Sequence, residues 1–144
     1  MIELSGFLLD VNVLVALVEV EHLHHRKAVH WFKTAGRDWG MCAFSEAGLL
    51  RALVNPVIGN ITVEEASGVL ASLVGHPGYR YWAVSWGWAE LAAPFRERVF
   101  GHQQITDAYL LGLAVRRNGI LVSMDKGMKF LAGPKFSRNV LILE

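Results

Sequence analysis

Cysteine is nearly absent from this 144-residue chain, with Cys42 the single example, set inside an apolar run. A disulfide framework and a cysteine zinc site are therefore excluded, and a reducing, cytoplasmic setting is expected. Net charge is equally scarce at a formal +1. Any affinity for nucleic acid must then rest on a local basic patch rather than on a global field. Long hydrophobic runs are missing too: Asp10 and Asn12 interrupt the N-terminal apolar stretch, which falls short of the roughly 20 residues of a membrane span. A secretory leader would open on basic residues, whereas Glu3 comes first. No membrane association is expected. Internal repeats, low-complexity tracts and linkers are not seen, and Gly75-His76-Pro77-Gly78 reads as a loop. A single domain is expected over residues 1–144.

What the chain does have is apolar bulk. Hydrophobic residues make up 53% of it, enough for a substantial core. Short apolar runs alternate with longer stretches of helical period, the pattern of βαβ units building a parallel sheet. Strands are expected at Gly6 to Leu9, Gly40 to Phe44, Tyr81 to Ser85, Ile120 to Met124 and Val140 to Leu143, the continuous apolar runs suiting strands covered on both faces. Helices are expected at about His24 to Thr34, Ser45 to Val54, Val63 to Val74, Trp88 to Arg98 and Asp107 to Arg117. Ser45 can cap the second, Thr62 with Glu65 forms a capping box for the third, Asn55-Pro56 ends the second and Gly119 stops the last. The five tryptophans, Trp31, Trp39, Trp82, Trp86 and Trp88, are read as packing residues, since base stacking needs exposed rings.

Four acids stand where these runs break off. Asp10 closes Phe7-Leu8-Leu9, Glu46 follows Met41 to Ser45, Asp107 opens Ala108-Tyr109-Leu110-Leu111, and Asp125 ends Ile120 to Met124. In an open parallel sheet the carboxyl ends of the strands form the ligand-binding rim. Helix starts add a positive dipole that favours a carboxylate by about 0.3–1 kcal/mol. Carboxylates gathered there repel one another unless some protonate or a cation joins them. With oxygen donors Asn12, Ser45, Thr106 and Ser123 beside the acids and no Cys or His ligand pattern, the expected ion is Mg²⁺ or Mn²⁺ rather than zinc. Two such ions about 3.5–4 Å apart could activate water and steady the leaving oxygen of a phosphodiester.

Phe7-Leu8-Leu9-Asp10-Val11-Asn12-Val13-Leu14, Ser45-Glu46 with Arg51, Gln104-Ile105-Thr106-Asp107-Ala108 and Leu121-Val122-Ser123-Met124-Asp125 together resemble the PIN domain, in particular VapC-type toxins of bacterial toxin-antitoxin modules. The resemblance spans nearly the whole chain. It implies a PIN-like three-layer α/β sandwich with a mainly parallel five-stranded sheet, a metal-dependent endoribonuclease, a homodimer, and inhibition by a VapB-type antitoxin. Asp10, Glu46, Asp107 and Asp125 match the acidic quartet, with Asp10 and Asp107 the firmest metal ligands, and Asn12 and Thr106 match its polar companions. Many relatives carry another acid two residues after the last one; here Gly127 stands there, so Asp125 serves alone.

Other residues admit further readings. Arg51, Lys126 and His102 are candidate RNA contacts, with Lys129 behind them; Arg116 and Arg117 suit a helix C-terminus. His22, His24, His25 and His30 have poor spacing for one metal site and read as surface or helix-start residues. Asp10-Val11-Asn12 also resembles the Asp-x-Asp of phosphatases that work through a phospho-aspartate, but only in its first half, because Asn12 fills the place of the acid/base. A third alternative is a PIN-like binding module without catalysis, whose acids only stabilise helix starts. The apolar fraction and helical aromatics further favour a homodimer with an open groove, and the resemblance implies that an antitoxin segment occupies that groove.

Overall fold

The computed structural model describes residues 2–144. The apolar runs become strands β1 (Phe7–Leu9), β2 (Trp39–Met41), β3 (Tyr79–Tyr81), β4 (Ile120–Ser123) and β5 (Val140–Ile142), joined in the order β3-β2-β1-β4-β5. Each pairing is parallel, with Leu8 opposite Gly40 and Leu121, for example. The helices are α1 (Val11–Val18), α2 (His25–Ala35), α3 (Ala43–Val54), α4 (Val63–Val74), α5 (Trp88–Ala92), α6 (Ile105–Arg116) and α7 (Gly127–Phe136).

Period-two alternation along the strands sends neighbouring side chains to opposite faces. Leu8 and Leu121 accordingly join one core with Leu91, Phe95, Leu111, Met128 and Leu131 from the α5 to α7 side. Leu9 and Val122 join the other with Val13, Leu14, Leu49, Leu53 and Ala66 from α1 to α4. The result is three layers with a sheet covered on both faces, as expected for the sandwich. Sheet growth runs outward from β1 through β2 to β3, then returns to β4 on the other side of β1. The point of reversal lies between β1 and β4, where ligands of open α/β sheets bind.

Several elements depart from the expected boundaries. The second strand is earlier, at Trp39–Met41, and α3 begins at Ala43 rather than Ser45. Cys42 is the N-cap; Ser45 sits one turn inside, where its Oγ accepts from the Cys42 N–H (2.9 Å) and donates to the Cys42 carbonyl (3.1 Å). The third strand is also earlier, at Tyr79–Tyr81, and Trp82, just beyond it, is buried. Its indole lies against Gly6, Gly40 and Gly119, on three different segments of the sheet centre: a Cβ at Gly40 would stand 2.6 Å from the indole Cδ1, and one at Gly119 2.4 Å from Cη2. The missing side chains make the seat for the ring.

Two helices go beyond the expected set. α1 is a nearly continuous apolar stretch in which helical period cannot show, started by Asp10 accepting from the Val11 N–H. α7 contains Gly133-Pro134, a breaker pair, and Gly133 takes a left-handed φ of +68° at a kink. Trp88–Arg98 divides into α5 and a 3₁₀ segment, Ala93–Arg98, with Pro94 at its start. The last stop before β4 is Asn118, at φ +54°, with Gly119 donating back to the Ala114 carbonyl in a Schellman closure. The capping box of α4 forms as expected, Thr62 and Glu65 bonding each other's backbone N–H at 3.0 Å. No described helix is long and apolar enough to cross a membrane.

Candidate active site

Asp10 stands at the carboxyl end of β1, 7% exposed. Its Oδ1 accepts from the Val11 N–H at 2.8 Å, and its Oδ2 accepts from the Ser123 hydroxyl at 2.7 Å. Ser123 ends β4, the neighbouring strand, and is itself fully buried. Its Oγ also accepts from the Asp125 N–H (3.0 Å) and from Asn12 Nδ2 (3.3 Å), while Asn12 Oδ1 accepts from the Met124 N–H (3.2 Å). One hydroxyl thus ties the ends of β1 and β4 together across the reversal point. Sequence reasoning places Ser123 only among nearby oxygen donors; a lone hydroxyl in a buried apolar strand is the available signal for this larger role.

Asp125 follows β4 and is exposed, its Oδ1 accepting from the Gly127 N–H at 2.8 Å. Gly127, which in the sequence marks a missing acid, therefore serves Asp125 through its backbone. Asp107 lies in the first turn of α6 and is half-buried. Burial pushes its carboxyl up to about 7, and the negative charges of Asp10 and Asp125 push in the same direction. Asp10 is raised as well, by burial first; the Ser123 and Val11 hydrogen bonds oppose that rise and Asp125 adds to it. These three carboxylates share one field.

Glu46 sits in the first turn of α3, half-buried, and its charge is felt at Tyr79. Burial, with Glu46 second, pushes that phenol up to about 12. The structure thus couples three of the four acids to one another and sets Glu46 toward the β2–β3 side. Among the polar companions, Asn12 is wired to β4, Ser45 is spent on the backbone of Cys42, and Thr106 is exposed on the first turn of α6. Arg51 is exposed, and five residues beyond Glu46 puts it about 140° around the helix from that acid. Lys126 is exposed and pairs with Glu144 at 3.6 Å. His102 is exposed in the short turn before α6.

The fit to a metal ion follows from the donors. Among the described residues no three His, Cys, Asp or Glu side chains converge on one point, so the four acids do not form a closed cage. A magnesium-sized ion does not require one: it keeps several waters and takes one or two carboxylates. Asp10 and Asp107 are oxygen donors whose mutual repulsion a cation would relieve, and each oxygen of Asp10 retains accepting capacity beyond its one bond. The residues present fit a hard divalent ion.

Comparison with known proteins identifies the family of the chain. Residues 7–134 match the PIN domain family. The chain is 38% identical over 128 residues to Ribonuclease VapC38 of Mycobacterium tuberculosis (strain ATCC 25618 / H37Rv), covering 87% of this chain and 89% of that one. It is 34% identical over 128 residues to Ribonuclease VapC29 of the same strain, covering 88% and 90%. Among solved structures, a chain in the crystal structure of VapBC2 from Rickettsia felis bound to a DNA fragment from their promoter superposes with a TM-score of 0.65 at 14% identity, covering 97% of this chain and 98% of that one; this likeness is one of fold. With a matched family domain over most of its length and relatives above 30% identity, the chain belongs to the PIN-domain family, on its VapC branch.

Proposed function

We propose that the chain is a divalent-metal-dependent endoribonuclease, the toxin of a toxin-antitoxin pair, with Asp10 and Asp107 as the metal ligands and Glu46 and Asp125 assisting. The observation that carries the reading is the shared field of Asp10, Asp107 and Asp125 at the reversal point of the sheet. Relatives named as VapC ribonucleases support RNA as the substrate class and a VapB-type antitoxin as partner. A homodimer is part of the same reading, as is a cytoplasmic setting, which suits the free, buried thiol of Cys42.

When bound, Mg²⁺ or Mn²⁺ supplies positive charge for the phosphodiester transition state and acidifies the attacking water. Ser123 and the Val11 N–H fix the direction of the Asp10 carboxylate before any ligand arrives. Asp107, whose carboxyl burial and neighbouring charges push up to about 7, would hold the ion as a carboxylate, the ionised form being favoured by the cation's charge. Asp125, held by Gly127 and Ser123 through backbone and side chain, adds negative potential at the rim. No nucleophilic side chain is needed.

The phosphatase-like alternative loses its second group, since both ends of the Asn12 amide are engaged with β4 and the residue after it. The non-catalytic alternative accounts poorly for Asp107: an acid serving only a helix start would be stabilised in its charged form, whereas this one is destabilised. Purified protein incubated with structured RNA should cleave it with Mg²⁺ or Mn²⁺ and not with EDTA, and Asp10→Ala should abolish cleavage. Equal cleavage in all three arms would overturn the metal mechanism.

A further inference from the structure

None of the five tryptophans is an exposed ring, but two phenylalanines are. Phe100 is 76% exposed, in the loop before α6, and Phe130 is 59% exposed, on α7. Their centroids lie 6.3 Å apart with planes tilted by 36°. Neither ring belongs to either core. Two large apolar rings held side by side in water contribute little to folding, and their packing against each other leaves outward faces free.

The surroundings are cationic. Arg98 lies over Gly133, where a Cβ would come within 2.7 Å of the guanidinium carbon, so the absent side chain makes room for it. Arg98, Lys129 and Phe130 line one shallow cavity, and Phe100 with His102 lines another. Lys129 Nζ donates to the Ser137 carbonyl at 2.8 Å. The ion pairs among the described residues are Arg80–Asp38 and Lys126–Glu144, so neither Arg98 nor Lys129 is neutralised by a carboxylate there. The patch is connected to the candidate active site along the chain: Phe100 precedes the helix that carries Asp107, and Phe130 lies about one turn into the helix that follows Asp125.

We propose that Phe100 and Phe130 form a stacking platform for unpaired nucleobases of the substrate RNA, with Arg98 and Lys129 holding the adjoining phosphates. The proposal rests on the ribonuclease reading and adds where the strand lies. Aromatic faces take any base, while two unneutralised cations select a polyanion over an apolar protein segment. A duplex hides its base faces in its own stack, so the platform selects single-stranded or splayed regions.

The test measures binding apart from cleavage. Fluorescence anisotropy in EDTA follows a fluorescein-labelled oligoadenylate, an abasic ribose-phosphate oligomer of the same length and a blunt RNA duplex. Oligoadenylate should bind best. Phe100→Ala and Phe130→Ala should each weaken it at least about fivefold, the lower bound for losing one base–aromatic stack. Phe130→Tyr should keep affinity and Phe130→Leu should lose it, which separates stacking from simple apolar contact. Lys129→Gln should lower the salt slope of binding by about 0.7. Unchanged affinity in both alanine variants, full affinity in Phe130→Leu, or equal binding of the abasic oligomer would overturn the platform. So would a lower mass by light scattering in the alanine variants, which would make the patch an interface between copies. Because these readouts need no catalysis, failure of the metal-dependent cleavage assay is a separate outcome.

Discussion

Asp10 accepts hydrogen bonds at both carboxylate oxygens, whereas Asp107 draws no such support among the described residues and is raised by burial and by two neighbouring charges. Both belong to the same rim, yet one half of the site is wired and the other is carried only by a helix. The wired half uses the pairing of β1 with β4 to bring Ser123 beside Asp10. The unwired half leaves Asp107 dependent on its proton or on a cation. In the proposed site, one ligand would be fixed in advance and the charge state of the second would answer to what is bound.

The comparison breaks most directly at Ser123. Ser123→Ala removes the hydroxyl that holds Asp10 and accepts from Asn12 and Asp125, so metal-supported cleavage should fall by about 10- to 100-fold, the usual cost of losing a group that orients a ligand. Isothermal titration with Mn²⁺ should show a parallel loss of affinity. If activity and affinity stay at the wild-type level, the wiring of Asp10 is irrelevant to the site.

A pH series sharpens the other half. Asp107 holds its proton more tightly in the fold than in the unfolded chain, where its ordinary value is 3.8, so its favourable contribution is complete below that value and disappears as pH rises toward about 7. The metal-free Tm of Asp107→Asn should therefore decline less across this window than that of the wild type, and added Mn²⁺ should restore wild-type Tm most at the neutral end. Identical slopes for variant and wild type in calorimetry would contradict the assignment.

The smallest effect is expected at the acid that stands apart. Glu46→Gln should lower the Tyr79 phenol from about 12, since the Glu46 charge is a cause of its rise, and ultraviolet titration would record this. The pH slope of Tm that Asp107 governs should be unaffected. A changed slope would move Glu46 into the shared field after all.

Much of this arrangement is legible in the order of residues alone. Leu8-Leu9 and Leu121-Val122 are apolar at every position because both faces of the sheet are covered, and that makes the strands and the parallel architecture readable. Thr62 and Glu65 announce α4 because a capping box is a local interaction. The failures have equally local reasons. Val11 to Val18 hides its helix because almost every position is apolar, and the breaker pair Gly133-Pro134 interrupts the helical pattern of α7. Ser45 resembles an N-cap, but the buried Trp39 draws the strand earlier and leaves Cys42 at the boundary. The order of the acids along the chain is visible, but their unequal coupling is not: it depends on which strand lies beside β1, a fact of topology. Phe100 and Phe130 do not stand out, since sequence does not distinguish an exposed ring from a buried one.

The hydrogen bond between Ser123 and Asp10 joins residues 113 positions apart. Such a contact forms only after a large loop has closed, and contacts of this range are the slow ones in folding. On the ribosome, Asp10 leaves the exit tunnel long before its partner has been made. A polypeptide released early carries Asp10 without the hydroxyl that seats it, so the order of synthesis itself keeps an unfinished chain from assembling this site.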